Sequence, residues 1–342
     1  MQSVTWKCPS NIALIKYWGK KGNQYPANPS LSFTLTNCHT ITTLSFEPKE
    51  DDGTLLLSFS YDGAPMPLFE PKLEQFFNKN EHHFPFLSKY LIEINTTNTF
   101  PHSSGIASSA SGMAALALCL CSMEMKIGTT LTQADFFKKA SNVARLGSGS
   151  ASRSTYGPVV MWGQSASFDT SNDDYAVQVG EVHPIFKTYC DTILLVDEGQ
   201  KDVSSSKGHD LFEHNPFSSI RFKEANQNLE HLQTALKVGD LALFNQIVEQ
   251  EAMMLHAMMM TSKPYFLLLK PNTLAIIHKV WELRATLNLH LTITLDAGAN
   301  VHLLYPENEK PKVIAFIHKE LSAFCNHNFI HDQVGPGPIE MS

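Results

Sequence analysis

Several signatures of common enzyme classes are missing from this sequence. It contains no G-x-x-x-x-G-K-[ST] motif and no G-x-G-x-x-G motif after a predicted strand, which argues against the standard P-loop and Rossmann modes of phosphate binding. The 15 histidines include no H-E-x-x-H motif and no paired-ligand spacing, so we expect no protein-bound metal. The six cysteines form no C-x-x-C pair, which predicts reduced thiols in the core.

An excess of basic residues and a long apolar run are also missing. The net charge of −7 lacks the footprint of a nucleic-acid-binding protein, although a small basic pocket for an anion would barely change this total. The N-terminus has no apolar signal-peptide core, and the most apolar run, residues 113–121, is shorter than the roughly 20 residues that span a bilayer. We therefore expect a cytoplasmic protein that binds neither nucleic acid nor membrane.

The chain has 342 residues, 43% of them hydrophobic and 17% charged, which suits two folded domains or one large α/β unit. Residue patterns predict strands at 31–47, 54–61, 90–95, 159–162, 176–182, 192–196, 289–295 and 301–305. They predict helices at 70–90, 106–125, 131–145, 218–237, 241–260, 272–287 and 312–324. Strands followed by helices in both halves predict an α+β (mixed α/β) fold, with domains at 1–185 and 186–342. The last strand of the chain could return to pair with the first domain.

Two loops rich in glycine and serine stand where phosphate-binding loops belong. Residues 101–112, PHSSGIASSASG, lie between a predicted strand and a helix, where small residues let backbone N–H groups approach an anion near the positive helix end. Ser108 and Ser109 could add hydroxyl donors, although tight helix–sheet packing also explains small residues. Residues 147–153, GSGSASR, end on Arg153, which could hold a carboxylate or phosphate by two parallel hydrogen bonds. A plain surface loop explains this segment equally well.

Two charged residues stand out by their surroundings. Lys16 lies among apolar residues in NIALIKYWGK, residues 11–20, and needs an anionic partner if it is buried; otherwise it extends from a strand to solvent. Asp296 follows a predicted strand in TLDAGAN, residues 294–300, where it could act as a base in a cleft or serve turn chemistry. Residues 201–208, KDVSSSKG, have consecutive serine donors flanked by lysines. They could bind a phosphate group or simply form a polar connection between two elements.

These segments, in this order, resemble the diphosphomevalonate decarboxylases of the GHMP kinase superfamily. The resemblance rests on NIALIKYWGK (11–20), FPHSSGIASSASG (100–112), GSGSASRSTYG (147–157), DAGAN (296–300) and VGPGP (334–338), and it spans nearly the whole chain. It implies a two-domain GHMP kinase fold, with an N-terminal α/β domain that binds ATP, a ferredoxin-like C-terminal domain and the active cleft between them. It also implies a homodimer.

The resemblance further implies an activity and a set of site residues. The reaction is the ATP-dependent decarboxylation of (R)-5-diphosphomevalonate to isopentenyl diphosphate in the mevalonate pathway, with Mg²⁺ held mainly through the ATP phosphates. Asp296 would take the proton from the substrate's 3-hydroxyl, Lys16 would keep Asp296 ionised, and Arg153 would hold the substrate carboxylate. The positions that match substrate-binding residues are Tyr17, Lys20, Ser148, Ser150, Ser205 and Ser206. Those that match ATP-binding residues are Ser103, Ser104, Gly105, Ser108 and Ser109.

Three departures from the family pattern bear on this interpretation. Residues 102–104 read His-Ser-Ser where relatives usually have Thr-Ala-Ala, and Ala299 replaces a common proline. Ser206 and Lys207 stand where some bacterial relatives place an arginine on the diphosphate. The alternatives are a decarboxylase of mevalonate 5-phosphate, a mevalonate-type kinase without decarboxylation, and a nucleotide-binding protein without catalytic activity.

Overall fold

The computed structural model describes residues 1–101, 106–197, 199, 205–212 and 215–341, without the side chains of 205–207 and 210. The strands are β1 (Gln2–Ile15), β2 (Lys20–Lys21), β3 (Tyr25–Pro26), β4 (Ser30–Pro48), β5 (Leu56–Tyr61), β6 (Ala64–Pro65), β7 (Tyr90–Asn98), β8 (Val159–Trp162), β9 (Val177–Gln178), β10 (Cys190–Leu194), β11 (Thr292–Thr294), β12 (Val301–Tyr305), β13 (Phe329–Gln333) and β14 (Ile339–Met341). The α-helices are α1 (Glu70–Asn80), α2 (Ser108–Lys126), α3 (Gln133–Gly147), α4 (Ser205–Phe212), α5 (Ser218–Val238), α6 (Leu241–Met260), α7 (Pro271–Leu287) and α8 (Lys310–Phe316).

The first sheet has eight strands built around the long strands β1 and β4. Its order is β14-β1-β4-β7-β5-β6, and β8 pairs with the first part of β4 and carries β9 on its other edge. All of its pairings are antiparallel except the one between β5 and β7. Because β14 pairs with β1, the end of the chain returns to the sheet formed by its beginning.

Helix α2 covers this sheet with a face of small side chains. Ala114, Ala115 and Ala117 are fully buried, which lets the helix backbone approach β1 and β4 closely. By length and composition alone α2 could cross a membrane, but 78% of its apolar window is buried inside the protein. Packing in the core therefore accounts for its apolar sequence.

The second sheet is antiparallel, with the order β11-β12-β10-β13. In chain order these are the second, third, first and fourth strands, which is the ferredoxin-like arrangement. Apolar side chains of α7 and α8, including Ile276 and Val313, pack against one face of the sheet. The predicted α+β class and the ferredoxin-like second domain are thus confirmed.

The two sheets are joined by a shared core and by a carboxylate. Ile12 and Phe33 of the first sheet, Phe244 of α6 and Ile193 of the second sheet belong to one buried cluster. Asp332 on β13 accepts hydrogen bonds of 2.7–2.9 Å from the backbone amides of residues 36–38 on β4. The boundary near residue 185 falls between β9 and β10 and stays a prediction.

The structure corrects some predicted elements and confirms others. The helix predicted over 70–90 ends at Asn80 and is followed by short 3₁₀ turns; Pro85, which has no N–H, excludes a regular α-helix that runs on to residue 90. The helix predicted over 312–324 begins at Lys310 and changes to π-helical and 3₁₀ turns after Phe316. All six cysteines are free and buried, as predicted.

Candidate active site

A cleft of about 170 Å³ lies between the two halves of the chain. It is lined by the segment after β1, the loop after α3, the start of α2, one residue of α4, one of α6 and the loop after β11. The predicted residues that line it are Lys16, Tyr17, Lys20, Ser109, Ser148, Ser150, Arg153 and Asp296. Segments more than 250 residues apart in the sequence therefore meet at one site, as expected for an active cleft between domains.

Lys16 and Asp296 form an ion pair at the floor of this cleft. The distance from Lys16 Nζ to Asp296 Oδ1 is 3.0 Å, and the side chains are 2% and 24% exposed. Desolvation lowers the pKa of Lys16, and the neighbouring Asp296 carboxylate opposes that shift. Lys16 does not extend to solvent; it is the buried cation that favours an ionised carboxylate on a partly accessible Asp296.

The backbone of Lys16 is held by a second buried ion pair. Glu251 Oε2 on α6 accepts a hydrogen bond of 2.9 Å from the Lys16 N–H, and Arg221 Nη2 on α5 donates one of 3.2 Å to the Lys16 carbonyl. Arg221 and Glu251 are bonded to each other at 2.6 and 3.1 Å, and Asn228 donates to Glu251 at 2.7 Å. Sequence reasoning missed this network; the available signal was a glutamate in the middle of an apolar helix.

Asp296 is held through its backbone by a neutral histidine. The Asp296 carbonyl lies 3.1 Å from His256 Nε2, on α6. Burial lowers the pKa of His256 to about 4, so the ring is neutral near pH 7 and Nε2–H donates to the carbonyl. The catalytic candidates Lys16 and Asp296 are therefore both positioned by α6.

Arg153 is buried without a counter-charge in its hydrogen-bond shell. Its Nε donates to Ser32 Oγ at 3.1 Å and its Nη2 to Asn11 Oδ1 at 3.2 Å, while Nη1 is sealed from solvent and has no partner. Burial lowers its pKa to about 10, which leaves it charged near neutral pH. Arg153 is not a solvated surface residue; it lines the cleft, where its charged guanidinium suits an anion that enters.

The two predicted glycine-serine loops meet at the cleft. Ser109 Oγ at the start of α2 lies 3.4 Å from Ser148 Oγ, which lies 3.5 Å from Ser150 Oγ. Ser108 lines an adjoining apolar cavity of about 80 Å³ instead, and Ser109 borders both spaces. The predicted residues Ser103, Ser104 and Gly105, and the side chains of Ser205 and Ser206, lie outside the described part of the chain.

Tyr17 and Lys20 complete the wall near the β2–β3 hairpin. The Tyr17 ring packs edge-on against Trp162 with centroids 4.9 Å apart, and burial raises its pKa, which keeps the hydroxyl neutral. A Cβ at Gly149 would lie 2.7 Å from the Tyr17 hydroxyl, so glycine is needed for this close approach. Within the described residues, no three His, Cys, Asp or Glu side chains come together as metal ligands.

Two family models match the chain. A diphosphomevalonate decarboxylase-like N-terminal domain matches residues 8–176, and a mevalonate 5-diphosphate decarboxylase C-terminal domain matches residues 192–339. The diphosphomevalonate decarboxylase of Saccharomyces cerevisiae is 30% identical over 341 residues, which cover 93% of this chain and 81% of that protein.

Solved structures agree with the family models. The mevalonate diphosphate decarboxylase from Staphylococcus aureus superposes with a TM-score of 0.86 at 27% identity, covering 100% of this chain and 98% of the other. A structure of MDDEF in complex with MVAPP, AMPPCP and magnesium superposes with a TM-score of 0.84 at 26% identity, covering 99% of each chain. With matched models over both halves and a cleft built from the segments that carry the resemblance, this chain belongs to the diphosphomevalonate decarboxylase family.

Proposed function

We propose that this chain catalyses the ATP-dependent decarboxylation of (R)-5-diphosphomevalonate to isopentenyl diphosphate, with release of ADP, phosphate and carbon dioxide. The observation that carries the proposal is the Lys16–Asp296 ion pair at 3.0 Å in a cleft that also holds the buried Arg153. A base, a cation that keeps it ionised and a guanidinium for a carboxylate are the groups that this reaction needs.

The chemistry assigns a different task to each of the three residues. A tertiary alcohol is a poor nucleophile, and Asp296 accepts its proton as the hydroxyl attacks the terminal phosphoryl group of ATP. In the resulting phosphate ester the C3–O bond breaks, phosphate leaves with its electron pair and positive charge develops at C3. The electrons of the bond to the carboxylate carbon then form the alkene as carbon dioxide departs. Arg153 holds that carboxylate in the geometry for this cleavage, so the protein acts by orientation and charge stabilisation.

The remaining assignments rest on the family resemblance. The hydroxyl and cationic donors of the cleft suit phosphoryl oxygens, and the resemblance implies that Mg²⁺ would be held mainly through the ATP phosphates. The substrate-binding residues we propose are Tyr17, Lys20, Ser148, Ser150, Ser205 and Ser206. The ATP-binding residues we propose are Ser103, Ser104, Gly105, Ser108 and Ser109. A cytoplasmic homodimer and domains at 1–185 and 186–342 complete the proposal.

The test is a coupled measurement on the purified protein. With Mg-ATP and (R)-5-diphosphomevalonate, we expect ADP and isopentenyl diphosphate in equal amounts, and both products at a rate roughly 10²–10⁴ lower from the Asp296→Asn variant. ADP with a stable phosphorylated product would identify a kinase without decarboxylation. Turnover of mevalonate 5-phosphate alone would identify the monophosphate decarboxylase, and ATP binding without turnover of either compound would contradict an enzymatic role.

A further inference from the structure

His209 on α4 forms part of the cleft wall and is fixed on two sides by aromatic rings. Its ring centroid lies 4.4 Å from that of Tyr17 and 4.5 Å from that of Trp18, and the residue is 9% exposed. A Cβ at the preceding Gly208 would lie 2.7 Å from Trp18, so α4 lies close against the segment after β1. The imidazole therefore has one orientation against the cleft.

A backbone hydrogen bond selects the tautomer of this ring. The Gly19 N–H donates to His209 Nδ1 at 3.1 Å, which makes Nδ1 the acceptor and leaves the proton on Nε2. Burial, aided by the nearby charge of Lys20, lowers the pKa of His209 to about 3. The ring is therefore neutral at physiological pH and carries a single donor, Nε2–H.

The Nε2–H donor is unused within the described part of the chain. Nε2 has no hydrogen-bond partner among these residues, and it remains accessible to solvent. His209 and Lys20 both line the cleft, and Lys20 is close enough to influence the ring's protonation. A neutral donor beside a cation forms a site for an anionic oxygen, since a hydrogen bond to a charged acceptor is stronger than one to a neutral acceptor.

We infer that His209 is a substrate-binding residue, whose Nε2–H donates a hydrogen bond to the diphosphate of the substrate beside Lys20. The inference rests on the proposed function, because it takes Lys20 as a ligand of that diphosphate. His209 thereby adds a hydrogen-bond donor for phosphoryl oxygens on the side of the cleft that α4 lines. The competing explanation is that His209 only fills space between Tyr17 and Trp18.

Two substitutions separate these explanations. Asn places its carbonyl near the position of Nδ1, where it accepts from Gly19, but its amide is too short to replace Nε2–H. Gln places its amide near the position of Nε2 and keeps the donor. We expect His209→Asn to weaken the binding of (R)-5-diphosphomevalonate by about ten- to a hundredfold, the loss of a hydrogen bond to a charged group, and His209→Gln to stay close to the wild type.

The measurement is titration calorimetry with (R)-5-diphosphomevalonate on the intact protein, together with the KM for ATP, which neither variant should change. Equal affinity of wild type and His209→Asn would overturn the inference, and so would equal losses in both variants, which would indicate packing alone. Thermal melting of both variants identifies a folding defect. If His209→Asn is unfolded, the affinity of His209→Gln decides: wild-type affinity supports the inference, and a loss of affinity overturns it. If the wild type itself neither binds nor converts the diphosphate, the proposed function fails and the inference fails with it.

Discussion

Arg221 and Glu251 form an ion pair in which neither side chain is exposed to solvent, and each partner also bonds to the backbone of Lys16. The pair joins α5 and α6, whereas Lys16 follows the first strand of the chain. The ammonium group that faces Asp296 is therefore positioned by helices from the other half of the protein. Stability and the geometry of the proposed catalytic pair are coupled at this point.

Replacing Glu251 by Gln should strongly destabilise the protein. The variant leaves the Arg221 guanidinium buried without its counter-charge, and breaking such a pair typically costs about 3–5 kcal/mol of the free energy of unfolding. Urea denaturation measures this loss. The matched control is Glu181→Gln, because Glu181 pairs with Lys237 at the same 2.6 Å but both side chains are exposed. Similar effects of the two substitutions would contradict the argument from burial.

Lys16 and Asp296 should act as one unit in catalysis. We expect Lys16→Met and Asp296→Asn each to lower kcat by roughly 10²–10⁴, the usual contribution of a positioned general base. The double variant should be little worse than the poorer single variant, because each substitution already disables the pair. Steady-state kinetics on the four proteins complete the cycle.

A surface lysine provides the control for that cycle. Lys279 pairs with Glu320 at 3.0 Å, the distance found between Lys16 and Asp296, but outside the cleft. Lys279→Met should leave kcat unchanged. Multiplicative losses in the Lys16→Met/Asp296→Asn double variant would show that the two residues act independently.

The elements with strong local signals were predictable from the sequence. The predicted helix over 241–260 coincides with α6, and the one predicted over 218–237 ends one residue before the end of α5. In long periodic segments the residue pattern itself marks where the helix begins and ends. The helix over 70–90 was overextended because the spacing of Phe and Leu continues past Asn80 into the 3₁₀ turns.

The site was predictable only where a motif marked it. The roles of Lys16, Arg153 and Asp296 came from the resemblance, since no local pattern relates residues 280 positions apart in the chain. The Arg221–Glu251 pair and His209 were missed because an apolar surrounding can indicate that a residue such as Glu251 is enclosed but does not identify its distant partner. Tertiary packing decides which of the many such residues are enclosed.

His256 should make the protein sensitive to acid. Its pKa falls from 6.5 to about 4 on folding, so between these values the unfolded chain binds a proton that the folded chain does not, and stability falls as the pH falls. The shift corresponds to about 3 kcal/mol of unfolding free energy lost between pH 6.5 and 4. Denaturation curves at several pH values measure the loss.

A glutamine at this position tests the contribution of His256. His256→Gln keeps a donor for the Asp296 carbonyl but cannot titrate, so its stability should depend less steeply on pH over the same window. Lys16 and Asp296 are the charged groups beside the ring, and they remain in the variant. Parallel pH curves for the two proteins would assign the acid sensitivity to other groups.

Arg153 should be needed for activity but not for folding. In the protein without substrate its guanidinium is buried against the neutral partners Ser32 and Asn11, with Nη1 unpaired, so removing the charge relieves a desolvation penalty that offsets the loss of two hydrogen bonds. We expect Arg153→Met to lower kcat/KM for the substrate on the order of a hundredfold or more while the unfolding free energy without substrate stays equal or rises. Added substrate should raise the melting temperature of the wild type only.

Arg145 supplies the contrast that makes this result specific. It is almost as buried as Arg153, but its guanidinium donates to the Asp174 carbonyl at 2.9 Å and to Asn142 Oδ1 at 2.8 Å and faces the Asp174 carboxylate at 3.7 Å. Arg145→Met should therefore destabilise the protein, since it removes these hydrogen bonds and the contact with a carboxylate, whereas Arg153 has no such counter-charge to lose. A loss of stability in Arg153→Met as large as in Arg145→Met would show that Arg153 is a structural residue and not the residue that receives the substrate carboxylate.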